Sequence, residues 1–323
     1  MDVIEQHFQQ WDSLIERIST AYDLTYMDAL TKSMELLLAI VDENDPETTN
    51  ELKKLAKAIS IDELDREQIR KLIHLLLLKS MKGAVQHQHV MTPDTVALYV
   101  SYLVEKLLGK QKNLTLFDPV SGTANLLTAV MNHLNMPIKA YGSEIDPTYI
   151  QLAALNASMQ EHEIEFFHQD SLKPLLLDPV DLVIADLPVG YYPDDQLAKQ
   201  YQVSVTDDHT YAHHLLIEQS LNYTKPAGYL IFVIPNHLFN SAQAKQIHTL
   251  IQQEAYVIGL LQLPATVFKS ERQAKSLFIL QKKADGVKAP KQALMAQLPS
   301  FKDSQATKRM VMKMNQWFEE EGY

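Results

Sequence analysis

The chain has 323 residues, 46% of them hydrophobic, so it is long enough to bury a large core and to form more than one domain. It has no cysteine, which excludes disulfide bonds and thiolate metal sites and is typical of a cytoplasmic protein. The formal net charge of −11 argues against sequence-independent binding of nucleic acid, where lysine and arginine must replace counterions. No apolar run approaches the roughly 18 residues of a membrane span, and the acidic N-terminus is unlike a secretory signal.

Residues 1–88 are predicted to form an all-helical N-terminal domain. Apolar residues recur there at helical spacing, beginning with Ile4, Phe8, Trp11 and Ile15. Such stripes are usually core or docking faces, so we expect no separate catalytic role for this region.

Residues 89–283 are predicted to form an α/β domain. Thr92-Pro93-Asp94 is typical of a helix start, with Thr92 as the cap. Four short apolar runs follow, each predicted to be a strand of a parallel sheet: LTLF (114–117), IKAYG (138–142), IEFFH (164–168) and VDLVIA (180–185). Three later runs bring the sheet to about seven strands, mostly parallel and with helices on both faces.

Residues 284–323 are predicted to be a C-terminal helical extension. A polar stretch comes first, and a helix follows from about Ser304 to Glu320. Its apolar face includes Met314, Trp317 and Phe318, which we expect to pack on the chain's own body rather than on a partner.

A carboxylate stands at or just beyond the end of each of the four predicted strands: Asp118, Glu144, Asp170 and Asp186. Side chains at such ends line the ligand crevice of an open α/β sheet. Asp118 is suited to accept from a ligand ammonium, Glu144 from a ribose diol and Asp170 from an adenine amino group. Together these groups describe S-adenosylmethionine, whereas NAD would require a Gly-x-Gly-x-x-Gly turn that the sequence lacks.

Several segments follow one another in the order of a known family's motifs. They are Val90-Met91-Thr92-Pro93, Asp118 to Ala124, Gly142-Ser143-Glu144-Ile145-Asp146-Pro147, Asp186-Leu187-Pro188-Val189-Gly190, Gly228 to Asn236, and Leu263 to Phe268. With these segments the chain resembles the class I S-adenosylmethionine-dependent methyltransferases, within the adenine-N6 DNA methylase group. It is most similar to the modification subunits of type I restriction systems, over about residues 1–283. Ala124 replaces the last glycine of that family's loop.

The resemblance implies a Rossmann-like methyltransferase fold with S-adenosyl-L-methionine as the cofactor. It also implies which residues contact that cofactor: Met91, Thr92, Asp118, Val120, Ser121, Gly122, Thr123, Asn125, Glu144, Ile145, Asp170 and Ser171.

The fourth motif concerns the methyl acceptor. In the family its Asn or Asp and the next carbonyl accept the two N–H bonds of an adenine amine, and an aromatic residue stacks on the flipped base. The resemblance therefore assigns catalysis to Asp186, Leu187 and Pro188. Val189 stands where the aromatic residue is expected, and Tyr191 or Tyr192 is a candidate replacement at the substrate, unless the tyrosines only anchor the loop.

Three functions therefore remain open. The first is methyl transfer to a nucleic-acid adenine, with DNA favoured by the family and a separate specificity protein as partner, because the chain has no target-recognition domain. The second is transfer to a protein amide or to RNA, and the third is a cofactor-binding regulatory protein without transfer. A metal site is not expected, because His87, His89 and the adjacent His213 and His214 lack a third ligand at a matching spacing.

Overall fold

The computed structural model describes residues 3–38, 50–81, 91–206, 208–268, 270 and 273–323. The predicted positions His87 and His89 therefore lie outside the described residues. The helices that the structure describes are too short or too polar to cross a membrane.

The N-terminal region is helical throughout its described part. It contains α1 (Val3–Tyr22), α2 (Tyr26–Leu37), α3 (Asn50–Lys57) and α4 (Arg66–Ser80). Apolar side chains of these helices form a core around Trp11, and the same core takes in Leu152, Leu155 and Met159 of the following domain. The helical region therefore packs directly on the α/β region.

The α/β region begins with α5 (Asp94–Leu108) and then alternates strands and helices. The further elements are β1 (Leu114–Asp118), α6 (Asn125–His133), β2 (Ile138–Glu144), α7 (Pro147–Met159), β3 (Ile164–His168), β4 (Val180–Asp186), α8 (Asp195–Ala198), α9 (Ala212–Asn222), β5 (Thr224–Pro235), α10 (Ala244–Glu254), β6 (Ala255–Gln262), β7 (Lys275–Lys282), β8 (Leu294–Gln297) and α11 (Ser304–Glu321).

The eight strands form one sheet in the order β3-β2-β1-β4-β5-β7-β6-β8. Strands β3, β2, β1, β4 and β5 are parallel, while β7 runs antiparallel to both β5 and β6. Apolar cores cover both faces, with α5, α6 and α11 on one face and α9 and α10 on the other. The predicted α/β methyltransferase-type fold behind a helical domain is therefore confirmed.

The C-terminal extension differs from its sequence prediction in one respect. The stretch expected to be polar and irregular contains β8, which pairs with β6 in parallel. The carbonyl oxygen and Cβ atom of Leu294 lie so close to Gly259 that a side chain there would clash, so the approach of β8 depends on this glycine. A four-residue edge strand is too short for its alternation to be recognised in sequence.

The final helix lies close to the predicted bounds, at Ser304–Glu321, and packs on the chain itself. Met314 and Phe318 are buried in the same core as α5 and α6, with Met310 and Trp317 partly buried beside them. The expectation that this face packs on the protein's own body is confirmed.

We expect Phe318→Ala to lower the free energy of unfolding by about 3–5 kcal/mol, because Phe318 is 3% exposed and its removal would leave a cavity. Met312→Ala, at a residue 61% exposed on the same helix, is the matched control and should change stability by less than about 0.5 kcal/mol. Denaturant titration followed by circular dichroism measures both. Equal effects of the two substitutions would contradict the packing of this helix.

Candidate active site

Four carboxylates line one edge of the sheet. Asp118, Glu144 and Asp186 are the last residues of β1, β2 and β4, and Asp170 follows β3 by two residues. Because β3, β2, β1 and β4 are neighbours, the four acids stand in a row that spans about 14 Å at the usual strand spacing. Strand order reverses at β1, so the row lies where open α/β sheets bind their ligands.

Asp118 is the most deeply buried of the four acids, at 1% exposure. One of its oxygens accepts from the backbone N–H of Val120 at 3.0 Å, which folds the loop back over the strand end. Burial raises the pKa of Asp118 to about 8, and the nearby charges of Glu144 and Asp186 act in the same direction. The surroundings of Asp118 therefore favour the protonated form of its carboxyl group over the charged form.

The loop after β1 turns with two left-handed residues, Gly122 at φ +52° and Ala124 at φ +61°. Ala124 thus has a left-handed backbone, which favours glycine and is unfavourable for a residue with a Cβ. Space is open where a side chain on Gly122 would lie. In the same loop Ser121 donates to the Ser143 carbonyl, and the buried Thr123 accepts at its carbonyl from Asn156.

Glu144 holds two loops together. One carboxylate oxygen accepts from the N–H groups of Ile145 and Asp146, and the other from the N–H of Gly122, each at 2.9 Å. Backbone N–H groups therefore occupy three of the roughly four acceptor positions of the Glu144 carboxylate. The fourth position is free, and the loops fix its direction. The side chain of Ile145 is 65% exposed beside it and offers an apolar face.

Asp170 is bound by its own loop and by the loop after β4. It accepts from the N–H of Leu172 at 3.0 Å and from the hydroxyl of Tyr192 at 2.5 Å. Burial, together with the hydrogen bond to Asp170, raises the pKa of Tyr192, so this hydroxyl stays a donor. Ser171 is buried and donates to the Pro119 carbonyl at 2.5 Å, which makes it a support of the β1 loop.

Asp186 has two donors, both distant in sequence. Thr92 donates its hydroxyl to one carboxylate oxygen at 2.9 Å, and the ammonium of Lys275 lies 2.5 Å from the other. Thr92 is therefore not a helix cap as the sequence suggested, because Pro93 occupies that position and the Thr92 side chain turns to the site. Lys275 was not identified from the sequence. One feature of the sequence could have indicated it. Lys275 is the first residue of β7, and because β7 runs antiparallel to β5, that end of the strand lies at the carboxylate edge.

The remainder of the fourth motif consists of a buried residue followed by an exposed loop. Leu187 is fully buried and its N–H donates to Val233 at 3.1 Å, while no backbone hydrogen bond that we find among the described residues uses its carbonyl. Pro188 and Val189 are exposed. Asp186 and the Leu187 carbonyl are thus neighbouring acceptors, with the partly exposed Asp186 carboxylate next to a carbonyl that is covered in this structure.

The two candidate stacking tyrosines lie in different environments. Tyr192 is 9% exposed and bound to Asp170, so its ring is a wall of the site and is not available to stack on a base. Tyr191 is 52% exposed, and its ring stacks on Tyr211 with 4.7 Å between centroids and 7° between planes. Tyr211 in turn stacks on His213 at 5.0 Å. An aromatic column therefore leads from the surface to the interior beside the fourth motif.

Two other predicted cofactor residues have supporting positions. Asn125 donates to the Thr92 carbonyl at 3.2 Å and accepts from the guanidinium of Arg70 at 2.8 Å, so its side chain is engaged at both ends. Met91 packs against the core of the helical region. These contacts hold Asn125 and Met91 beside the site, and their contact with the cofactor stays a prediction. Arg70 is buried and also binds Asp94 at 2.6 Å.

The paired histidines are buried. His213 and His214 have their rings 4.8 Å apart, and burial lowers their pKa values to about 3 and about 4, so both are neutral. Across the described residues we find no group of three or more His, Asp or Glu side chains that could hold a metal ion.

Comparison with known proteins agrees with this geometry. A protein-family model described as N-6 DNA Methylase matches residues 77–321. The chain belongs to the N-6 DNA methylase family. A second model, described as YtxK N-terminal helical domain, matches residues 5–81. This N-6 DNA methylase family member is also 40% identical over 311 residues to the uncharacterized protein YtxK of Bacillus subtilis (strain 168), with 94% of each chain covered.

Solved structures give the same result. A Listeria monocytogenes protein assigned to the class I S-adenosylmethionine-dependent methyltransferases has a TM-score of 0.92 and 37% identity, with 98% of this chain and 99% of that chain covered. The methyltransferase subunit of a Streptococcus thermophilus type I restriction-modification system has a TM-score of 0.62 and 16% identity, with 95% and 74% covered, which shows a shared fold. The predicted class, an S-adenosylmethionine-dependent methyltransferase of the adenine-N6 DNA methylase type, is confirmed.

We expect Asp118→Asn to raise the melting temperature by several degrees at pH 9 and by clearly less at pH 5, where only the first part of the stability loss has occurred. The pKa of Asp118 is near 8 in the folded protein and near 3.9 in the unfolded chain. Between these pH values the folded protein therefore keeps a proton on Asp118 that the unfolded chain has lost. Stability therefore falls as pH rises from about 4 to about 8, and the amide removes this loss. Thermal melts of both proteins at the two pH values measure it. A gain of equal size at pH 5 would contradict the assigned pKa.

Proposed function

We propose that the carboxylate edge binds S-adenosyl-L-methionine and that the chain transfers its methyl group to the amino group of a nucleic-acid adenine. The observation that carries this proposal is the position of Asp186. It stands in the same row as the three other acids, with its carboxylate fixed by two donors and the Leu187 carbonyl beside it.

Three acids are assigned to the cofactor. The buried carboxyl group of Asp118 would lose its proton when an ammonium group binds beside it, because an opposite charge favours the ionised form. Glu144 would accept from the ribose diol with its remaining acceptor position, next to the exposed face of Ile145. Asp170 would accept from the adenine amino group, with Tyr192 holding its orientation.

Asp186 and Leu187 are assigned to the acceptor. The lone pair of an adenine amine is delocalised into the ring, so the amine is a poor nucleophile. Two acceptors that bind both N–H bonds draw the lone pair out of conjugation and direct it along the line of displacement. When bound, the cofactor supplies an electrophilic methyl group on a sulfonium. The protein's part is to orient the amine and to exclude water.

The aromatic column supports a flipped base as the substrate. Val189 cannot stack, but the exposed face of Tyr191, held parallel to Tyr211, presents an aromatic surface two residues further along. The net charge of −11 favours a second protein that brings the nucleic acid, as a specificity partner would. The cytoplasmic location inferred from the absence of cysteine stays a prediction.

The cofactor site is tested by calorimetric titration with S-adenosyl-L-methionine. We expect Asp118→Asn and Glu144→Gln to weaken binding more than tenfold, on the scale of lost charged hydrogen bonds at about 1.5–3 kcal/mol each. Asp181→Asn is the matched control. Asp181 lies near the start of β4, at the other end of the strand from Asp186, where it binds Thr115 and Lys225. Undetectable binding by the unsubstituted protein would overturn the proposal.

The acceptor is tested with methyl-labelled cofactor and three substrates: unmethylated plasmid DNA, total RNA and cell-extract protein. We expect label on DNA adenine, and we expect Tyr191→Ala to lower that transfer about tenfold while leaving cofactor affinity unchanged, since stacking contributes about 1–3 kcal/mol per base. Tyr191→Phe keeps the ring and should keep the transfer.

Other outcomes of this experiment separate the alternatives. Label on a protein band instead of nucleic acid would support transfer to a protein amide. Cofactor binding without transfer to any substrate, with and without cell extract, would support a regulatory protein.

A further inference from the structure

The salt bridge between Lys275 and Asp186 stands at the transfer end of the site. Their nitrogen and oxygen lie 2.5 Å apart, and the two side chains are only 19% and 12% exposed. An ion pair so shielded from solvent is screened less than a surface pair. Lys275 reaches Asp186 from the first residue of β7, across β5, and so from a different part of the sheet.

Among the acids of the carboxylate edge, Asp186 is the one that is paired with a cationic side chain in the described part of the chain. Within the part of the chain that the structure describes, we find no salt bridge to Asp118, Glu144 or Asp170, whereas Asp186 is paired with Lys275. The acid assigned to the methyl acceptor therefore differs from the three assigned to the cofactor in being neutralised by a cation.

The contacts of Asp186 fix its carboxylate and leave some of its acceptor positions unused. Lys275 donates to one oxygen and Thr92 to the other, so the carboxylate cannot rotate freely. A carboxylate has about four acceptor positions, and one position on each oxygen remains for an incoming N–H group. Together Lys275 and Asp186 carry no net charge, as a neutral amide group would. Asp186 nevertheless keeps the acceptor geometry of a carboxylate.

We propose that Lys275 is a positioning residue for methyl transfer, which fixes the Asp186 carboxylate and cancels its charge at the methyl end of the cofactor pocket. This inference rests on the proposed function. A bare carboxylate there would attract the sulfonium of the cofactor in the ground state, while a bare ammonium would repel it. The intact pair does neither, so the charge of the sulfonium has little effect on binding at this position.

The charge at the methyl end can be measured by comparing two ligands. S-adenosylmethionine carries a sulfonium and S-adenosylhomocysteine a neutral thioether, so the ratio of their dissociation constants reports the local charge and cancels effects on the rest of the pocket. We expect Lys275→Met to shift this ratio about tenfold in favour of S-adenosylmethionine, and Asp186→Asn to shift it about tenfold the other way.

Two further variants test the pair itself. The double variant Lys275→Met with Asp186→Asn carries no net charge at this position and should return the ratio to within about twofold of the unsubstituted protein. Lys275→Arg keeps the cation and should also leave the ratio within about twofold. A structural role alone would weaken both ligands equally and leave the ratio unchanged. Melting temperatures confirm that each variant is folded.

The outcomes separate this inference from the proposed function. If the unsubstituted protein binds neither ligand, the proposed function fails. If it binds both, but the two single variants leave the ratio unchanged or shift it in the same direction, the role of Lys275 is refuted while the cofactor site stands. A double variant that keeps the ratio of either single variant refutes it as well.

Discussion

The parallel pairing of four strands brings four carboxylates to one edge of the sheet, and the site depends on how their charges are compensated. Burial raises the pKa of Asp118 and favours its protonated form, while Glu144 accepts from three backbone N–H groups. Asp170 accepts from a tyrosine hydroxyl and Asp186 from a lysine ammonium. Because like charges at neighbouring strand ends repel, each acid needs its own partner, and those partners order the loops over the edge.

A series of polar contacts connects the helical region to the site. Arg70, on α4, is buried and binds Asp94 on α5 and the side chain of Asn125 at the start of α6. Asn125 then donates to Thr92, whose hydroxyl binds Asp186. A continuous chain of hydrogen bonds thus runs from the helical region to the acid assigned to the acceptor. The helical region therefore takes part in shaping the site, although it contributes no residue to the carboxylate row.

The departures from the family's motifs have separate structural consequences. Ala124 adopts a left-handed backbone, the conformation that favours glycine, although it carries a Cβ. Val189 removes the aromatic ring next to the fourth motif, and Tyr191 provides one from the same loop, held against Tyr211. The first departure concerns one backbone position, whereas the proposed replacement of the second by Tyr191 depends on Tyr211, twenty residues further along the chain.

The sequence by itself determined the class of fold, the positions of the first four strands along the chain and the four acids at their ends. These follow from local apolar periodicity and from motifs that occur in a family's order. It also determined the final helix, whose apolar face is periodic. Only the tertiary structure decided the partners of the acids. Lys275 is 89 residues from Asp186, and Tyr192 is 22 residues from Asp170. The edge strand β8 and the split between Tyr191 and Tyr192 were decided in the same way, because packing and long-range contacts leave no local pattern in the sequence.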